Sequence, residues 1–141
     1  MEENEENLVE SFEDSLLNDD NKNLLATVGD AGLDAIITGG ALDGVPILGV
    51  LNGIFKVTKN FQMRRLYKKM VLFLYGTSDF SQRDKEKFLH EYTEANKEKG
   101  SEALLTVIDK IDNANKISVL CNLMQAKINE EISIDNFVRL C

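Results

Sequence analysis

The chain has no tryptophan, one proline, one histidine and two cysteines among its 141 residues, and each scarcity removes a class of function. A zinc site takes four Cys, His or carboxylate ligands, or three and a water, and no two Cys or His here stand at ligand spacing. Cys121 and Cys141 lie far apart and make no disulfide framework, so reduced thiols are expected. The one imidazole, His90, falls in Phe88-Leu89-His90-Glu91-Tyr92 on the outer side of an amphipathic helix, which suits a surface histidine better than a catalytic base. The run Gly39-Gly40-Ala41-Leu42-Asp43-Gly44 lacks a Lys-Ser/Thr ending and follows a helix, whereas a phosphate loop follows a strand. Asp109 and Asp112, three apart, are expected to end one helix and cap the next, since a di-metal bundle site wants Glu-x-x-His pairs on facing helices. We therefore expect no enzyme: no catalytic residue, no cofactor and no metal ligand.

Apolar residues make up 43% and charged residues 28%, a composition able to build a core at this length. The net charge of −8 is divided into blocks. Residues 1–43 hold twelve acids and one base, Lys22; residues 44–75 hold six bases and no acid; residues 76–141 hold twelve acids and nine bases. An acidic molecule repels a phosphate backbone, so nucleic acid is not an expected partner. The Glu/Asn-rich start, Met1 to Glu6, is the opposite of a signal or transit peptide, and a cytoplasmic protein is expected, with the inner membrane face as a possible peripheral station. The division predicts an acidic arm over 1–20, carrying a short amphipathic helix, and a single helical-bundle domain over 21–141.

Helical periodicity runs through almost the whole chain, and strand alternation extends nowhere beyond a few residues. Leu8, Val9, Phe12 and Leu16 form one stripe on a helix from about Glu5 to Leu17. A second helix is expected from Asp20 or Asn21 to the Gly39-Gly40 pair. Pro46 suits a helical first turn, and from Ile47 to Tyr75 only Gly49 and Gly53 disturb a long central helix, stopped by Gly76-Thr77-Ser78-Asp79. Ser81 with Asp84 is a capping signature ahead of Phe88, Leu89, Tyr92 and Ala95. Gly100-Ser101 opens a helix with Leu104, Val107, Ile108 and Ile111; Ile117, Leu120, Cys121, Met124 and Ile128 make the next; Ser133 caps a last one with Ile134, Phe137, Val138 and Cys141. The fold class is all-α, a compact bundle of six or seven helices in which Leu140 and Cys141 must pack on something.

The middle of the chain differs in kind. Seven of nine glycines fall between Gly29 and Gly53, and Gly40-x-x-x-Gly44 and Gly49-x-x-x-Gly53 have the spacing of close helix approach. Lys56, Lys59, Arg64, Arg65, Lys68 and Lys69 follow the apolar run Ile47 to Phe55. Such a hairpin with a basic collar can engage an anionic leaflet or pack in a water-soluble bundle. The most apolar stretch, Ala35 to Phe55, has about the length of a bilayer span but contains Asp43, Pro46, Asn52 and five glycines, which argues against constitutive insertion.

The run Val45-Pro46-Ile47-Leu48-Gly49-Val50-Leu51-Asn52-Gly53-Ile54-Phe55-Lys56, with Arg64-Arg65-Leu66-Tyr67-Lys68-Lys69-Met70 and Leu72-Phe73-Leu74, resembles a pattern in uncharacterised small bacterial helical proteins. Those proteins have an Ile/Val-Pro-x-x-Gly start, a lysine, a basic stretch and a Phe-Leu end, and the likeness extends over most of the chain after the arm. Gln62-Met63 departs from it, standing where a more polar stretch is expected. The resemblance implies a bacterial origin and no assigned activity. The expected function is that of a non-enzymatic interaction module, binding a protein partner or a second copy through Gly40, Gly44, Gly49, Gly53 and the six bases. The alternative is a membrane-active effector whose acidic arm masks the same helix until released.

Overall fold

A computed structural model describes residues 2–17 and 61–141. Among these residues the chain is all-α: α1 spans Glu2–Leu17, α2 Phe61–Gly76, α3 Gln82–Asn96, α4 Gly100–Lys110, α5 Ile117–Ile128 and α6 Ile134–Leu140, with a 3₁₀ turn at Ala114–Lys116. At the positions of the long helix expected over 47–75 the described residues give α2 from residue 61 onward, and a single long central helix is not shown. The first half of the expected helix, the glycine hairpin and the helix expected after residue 20 lie outside the described residues.

The helix ends follow local chemistry. Ser81 accepts a hydrogen bond from the backbone N–H of Asp84 at 3.1 Å, and Ser133 does the same for Asn136 at 3.1 Å. Asn113, rather than Asp112, caps the 3₁₀ turn, its Oδ1 accepting from Asn115 N at 2.9 Å. The stop after α2 is made by Thr77, whose N–H and Oγ1 both donate to the Phe73 carbonyl, at 3.0 and 2.9 Å. Two helices end through a non-glycine residue in the left-handed region, Lys97 with φ 58° and Glu130 with φ 62°.

The core is shared by all six helices. Phe12 and Leu16 of α1, Met70 and Phe73 of α2, Phe88 and Tyr92 of α3, Leu104 and Ile108 of α4, Ile117 and Met124 of α5, and Phe137 of α6 are buried in one cluster. Each large side chain so removed from water contributes about 1.5–3 kcal/mol. The stripe on α1 therefore faces the same interior as the later helices, and Phe12 lies against Phe73 with ring centroids 5.9 Å apart.

α6 is too short to persist alone, and one residue anchors it. The Phe137 ring meets Phe88 and Tyr92 edge-on, at 5.0 and 5.4 Å. The expectation that Leu140 and Cys141 pack is corrected: Leu140 is 62% exposed and Cys141 is exposed too, because Phe137 takes the inward position about one helical turn earlier. Ala95 is likewise exposed, although its spacing continues the α3 stripe, since that stripe leaves the bundle at the helix end.

Candidate interaction surface

Gly40, Gly44, Gly49, Gly53, Lys56 and Lys59 lie outside the described residues, and of Arg64 only its place in α2 is described. The three remaining bases, Arg65, Lys68 and Lys69, occupy successive positions on α2 and have separate surroundings.

Lys69 is buried, only 5% exposed, and its ammonium donates to the carbonyls of Asp109 and Ile111 at 2.8 and 2.9 Å. Arg65 Nη2 donates to the Asp112 carbonyl at 2.6 Å. These carbonyls end α4, where backbone acceptors have no partner within the helix and the macrodipole is negative. Two bases of the basic stretch thus close a neighbouring helix, and this face of α2 is not uniformly solvated. Burial lowers the Lys69 pKa below its ordinary value, against the raising influence of Asp109. Lys68, one position away, is exposed.

The same device recurs at α1. Lys85 is 2% exposed, and its Nζ donates to the Leu16 carbonyl at 2.6 Å, at the end of α1. Glu13 of α1 pairs with Lys99 at 3.4 Å. Sequence reasoning did not single out Lys85, yet a signal was present: Lys85, Phe88, Leu89 and Tyr92 fall on one helical stripe, as do Leu66, Lys69, Met70 and Phe73. A lysine within an apolar stripe buries its stem and sends its ammonium to whatever acceptor the neighbouring helix offers.

Beside the capped end of α4, α2 stands open along its junction with the 3₁₀ turn and α5. A groove of about 370 Å³ is lined by Leu72, Tyr75, Gly76, Ile117 and Cys121, together with small polar residues of the turn and α5. Among the described residues no charged side chain lines it. Tyr75 is 45% exposed at its edge. A second hollow of about 460 Å³, lined by Arg65, Lys68, Asp112 and Asn113 among others, meets it at Ala114, which lines both. Asp112 is engaged by Lys116 at 3.1 Å, and that hydrogen bond, with the ammonium's charge, holds its carboxyl below the ordinary value.

The floor of the groove is tightly built. A methyl group on Gly76 would approach Cys121 Sγ to 2.5 Å, so only glycine lets α2 and α5 meet there. The Cys121 thiol is buried, lies 3.9 Å from the Phe73 carbonyl, and is pushed by burial up to about 12. At neutral pH it is a packing group, not a nucleophile.

His90 is exposed and pairs with Glu94 at 3.2 Å. Among the described residues no three His, Cys, Asp or Glu side chains are grouped to hold a metal ion, and no helix is long and apolar enough to cross a membrane. Comparison with protein-family profiles, with curated proteins and with solved structures finds no match for this chain.

Proposed function

We propose that the protein is a non-enzymatic interaction module that binds a protein partner, or a second copy of itself, along the open face of α2. The observation that carries this reading is Tyr75, a large aromatic side chain left 45% exposed beside an uncharged groove in a chain whose other aromatic rings on α3 and α6 are buried. Binding energy concentrates on such aromatic anchors at partly formed pockets. The described bases expected to form one solvated patch support a narrower version of the surface, because Lys69 is committed to the end of α4, Arg65 is engaged there through Nη2, and Lys68 is exposed.

The test places a photoreactive phenylalanine analogue at position 75 in the full chain, with position 94 on the exposed side of α3 as the control. Irradiation in cells is expected to give a covalent protein adduct from position 75 and none from position 94. Equal yields from both positions, or none from either, overturn the reading. Flotation with anionic and neutral vesicles runs beside it: binding to anionic vesicles abolished by Lys68→Glu would replace the protein partner with a membrane surface.

A further inference from the structure

Resting on the proposed α2 interaction face, we propose that its occupant is an acidic amphipathic segment of a partner protein. Its carboxylates would meet Lys68 and Arg65 and its apolar side chains would fill the groove beside Tyr75.

Two hollows adjoin on this face of α2, sharing Ala114 in their linings. Their apolar half is walled by Leu72, Tyr75, Ile117 and Cys121, with Asn115, Ser118 and Asn122 as its polar residues and no charge among the described residues, so an ionised group placed there would lose water without meeting an opposite charge. Among the described residues their other half is lined by Arg65, Lys68 and Lys69 against Asp112, with Asp109 beside Lys69. Asp112 is already neutralised by Lys116, and Lys69 is turned to the α4 carbonyls. What this end offers a partner among the described residues is therefore positive: the exposed Lys68 ammonium and the exposed Arg65 guanidinium, whose Nη2 donates to the Asp112 carbonyl. This local sign is opposite to that of the molecule, which carries −8 overall, so complementarity here selects acidic segments that the rest of the surface repels.

Spacing adds a further condition. Lys68 and Tyr75 are seven residues apart on one helix, about 10 Å along its axis at 1.5 Å per residue. They lie on one side, because seven residues make nearly two turns. A matching helical segment places its carboxylates two turns from its apolar anchors. The two ends divide the work: the apolar anchor supplies most of the affinity, while the charges choose the partner and set the association rate.

The probe is a helix-forming 15-residue peptide with Glu at positions 2, 3 and 6 and Leu at positions 9, 10 and 13, followed by fluorescence anisotropy on the full chain. A version with Lys in place of the three Glu is expected to bind about tenfold more weakly, and the Glu peptide should weaken as salt rises. Lys68→Glu is expected to reverse the preference, weakening the Glu peptide and strengthening the Lys peptide. Tyr75→Ser is expected to weaken both. Circular dichroism confirms that both variants fold. If Tyr75→Ser weakens both peptides while Lys68→Glu moves neither, the groove binds but the acidic partner is wrong, and the α2 reading survives. If the Glu peptide does not bind, or binds unchanged to both variants, the inference is overturned. Failure of the α2 reading itself would appear separately, as a photoadduct no more abundant at position 75 than at position 94.

Discussion

Lys69 shows how little a residue's identity says about its work. In sequence it is one of two adjacent lysines in a basic stretch, and in the fold it is a buried cap on a helix 40 residues away. Replacing it with methionine keeps the stem but leaves the Asp109 and Ile111 carbonyls without their donor. Lys69→Met is expected to cost about 1–3 kcal/mol in urea unfolding, whereas Lys68→Met is expected to change stability by less than about 0.5 kcal/mol. A pH dependence follows. Because the folded-state pKa of Lys69 lies below the unfolded value of 10.5, the unfolded chain binds more protons in the interval between them. Wild-type stability, measured against Lys69→Met, should therefore rise with pH through that interval. Tyr92 and Cys121, both pushed by burial up to about 12, act in the opposite sense, since the folded state holds protons that the unfolded state releases. Their contribution is common to both proteins and cancels in the comparison.

The two thiols are distinguished by place. Cys121 is buried at the α2–α5 contact and Cys141 is exposed. Partial desolvation pushes the exposed Cys141 thiol up to about 11, so a thiol reagent at neutral pH is expected to modify it slowly in the native protein, and Cys121 only after denaturant is added. Equal labelling of both in the native state would contradict the packed groove floor.

At the scale of elements, glycine decides how closely helices approach. A Cβ at Gly100 would come within 2.8 Å of the Leu89 carbonyl oxygen and 2.9 Å of Thr93 Oγ1, which accepts the Gly100 N–H. At Gly76 the obstacle is the Cys121 side chain instead. A backbone oxygen yields less readily than a side chain, so Gly100→Ala is expected to cost more than Gly76→Ala, both within about 1–3 kcal/mol. In a double-mutant cycle, Cys121→Ala should recover part of the Gly76→Ala loss, by about 0.5–2 kcal/mol, because it removes the sulfur the new methyl would strike. Additive losses would show that the two helices do not meet there. The capping serines were legible because each acts on its own helix within three residues. The Arg65 and Lys69 caps were not, because their acceptors lie more than 40 positions away for Arg65 and 40 or more for Lys69.

At the scale of the whole molecule, the acidic first helix and the later helices share one interior. Phe12 is fully buried against Phe73, and Lys85 closes the end of α1. Phe12→Ala is expected to lower stability by about 3–5 kcal/mol, read from the denaturant midpoint at unchanged slope. Removing residues 1–17 should expose that part of the core and lower the melting temperature well beyond what the loss of acidic charge alone would do. A truncated protein melting like the full chain would show α1 to be dispensable.

The sequence alone determined the helical class, the positions of the helices after residue 81 and most of the inward faces. It could do so because periodicity and capping act over one or two turns, as in Ser81 and Asp84 or in Leu104 and Ile108. It also carried the unequal distribution of charge, which singled out the α2 stretch. Only the tertiary structure decided what those charges do. Whether a base faces water or a neighbouring carbonyl depends on which helix end lies across from it, and that is fixed by packing between segments distant in the chain. The groove beside Tyr75 has the same origin: its walls come from α2, the 3₁₀ turn and α5, and it exists because Gly76 and Cys121 set how closely those elements meet.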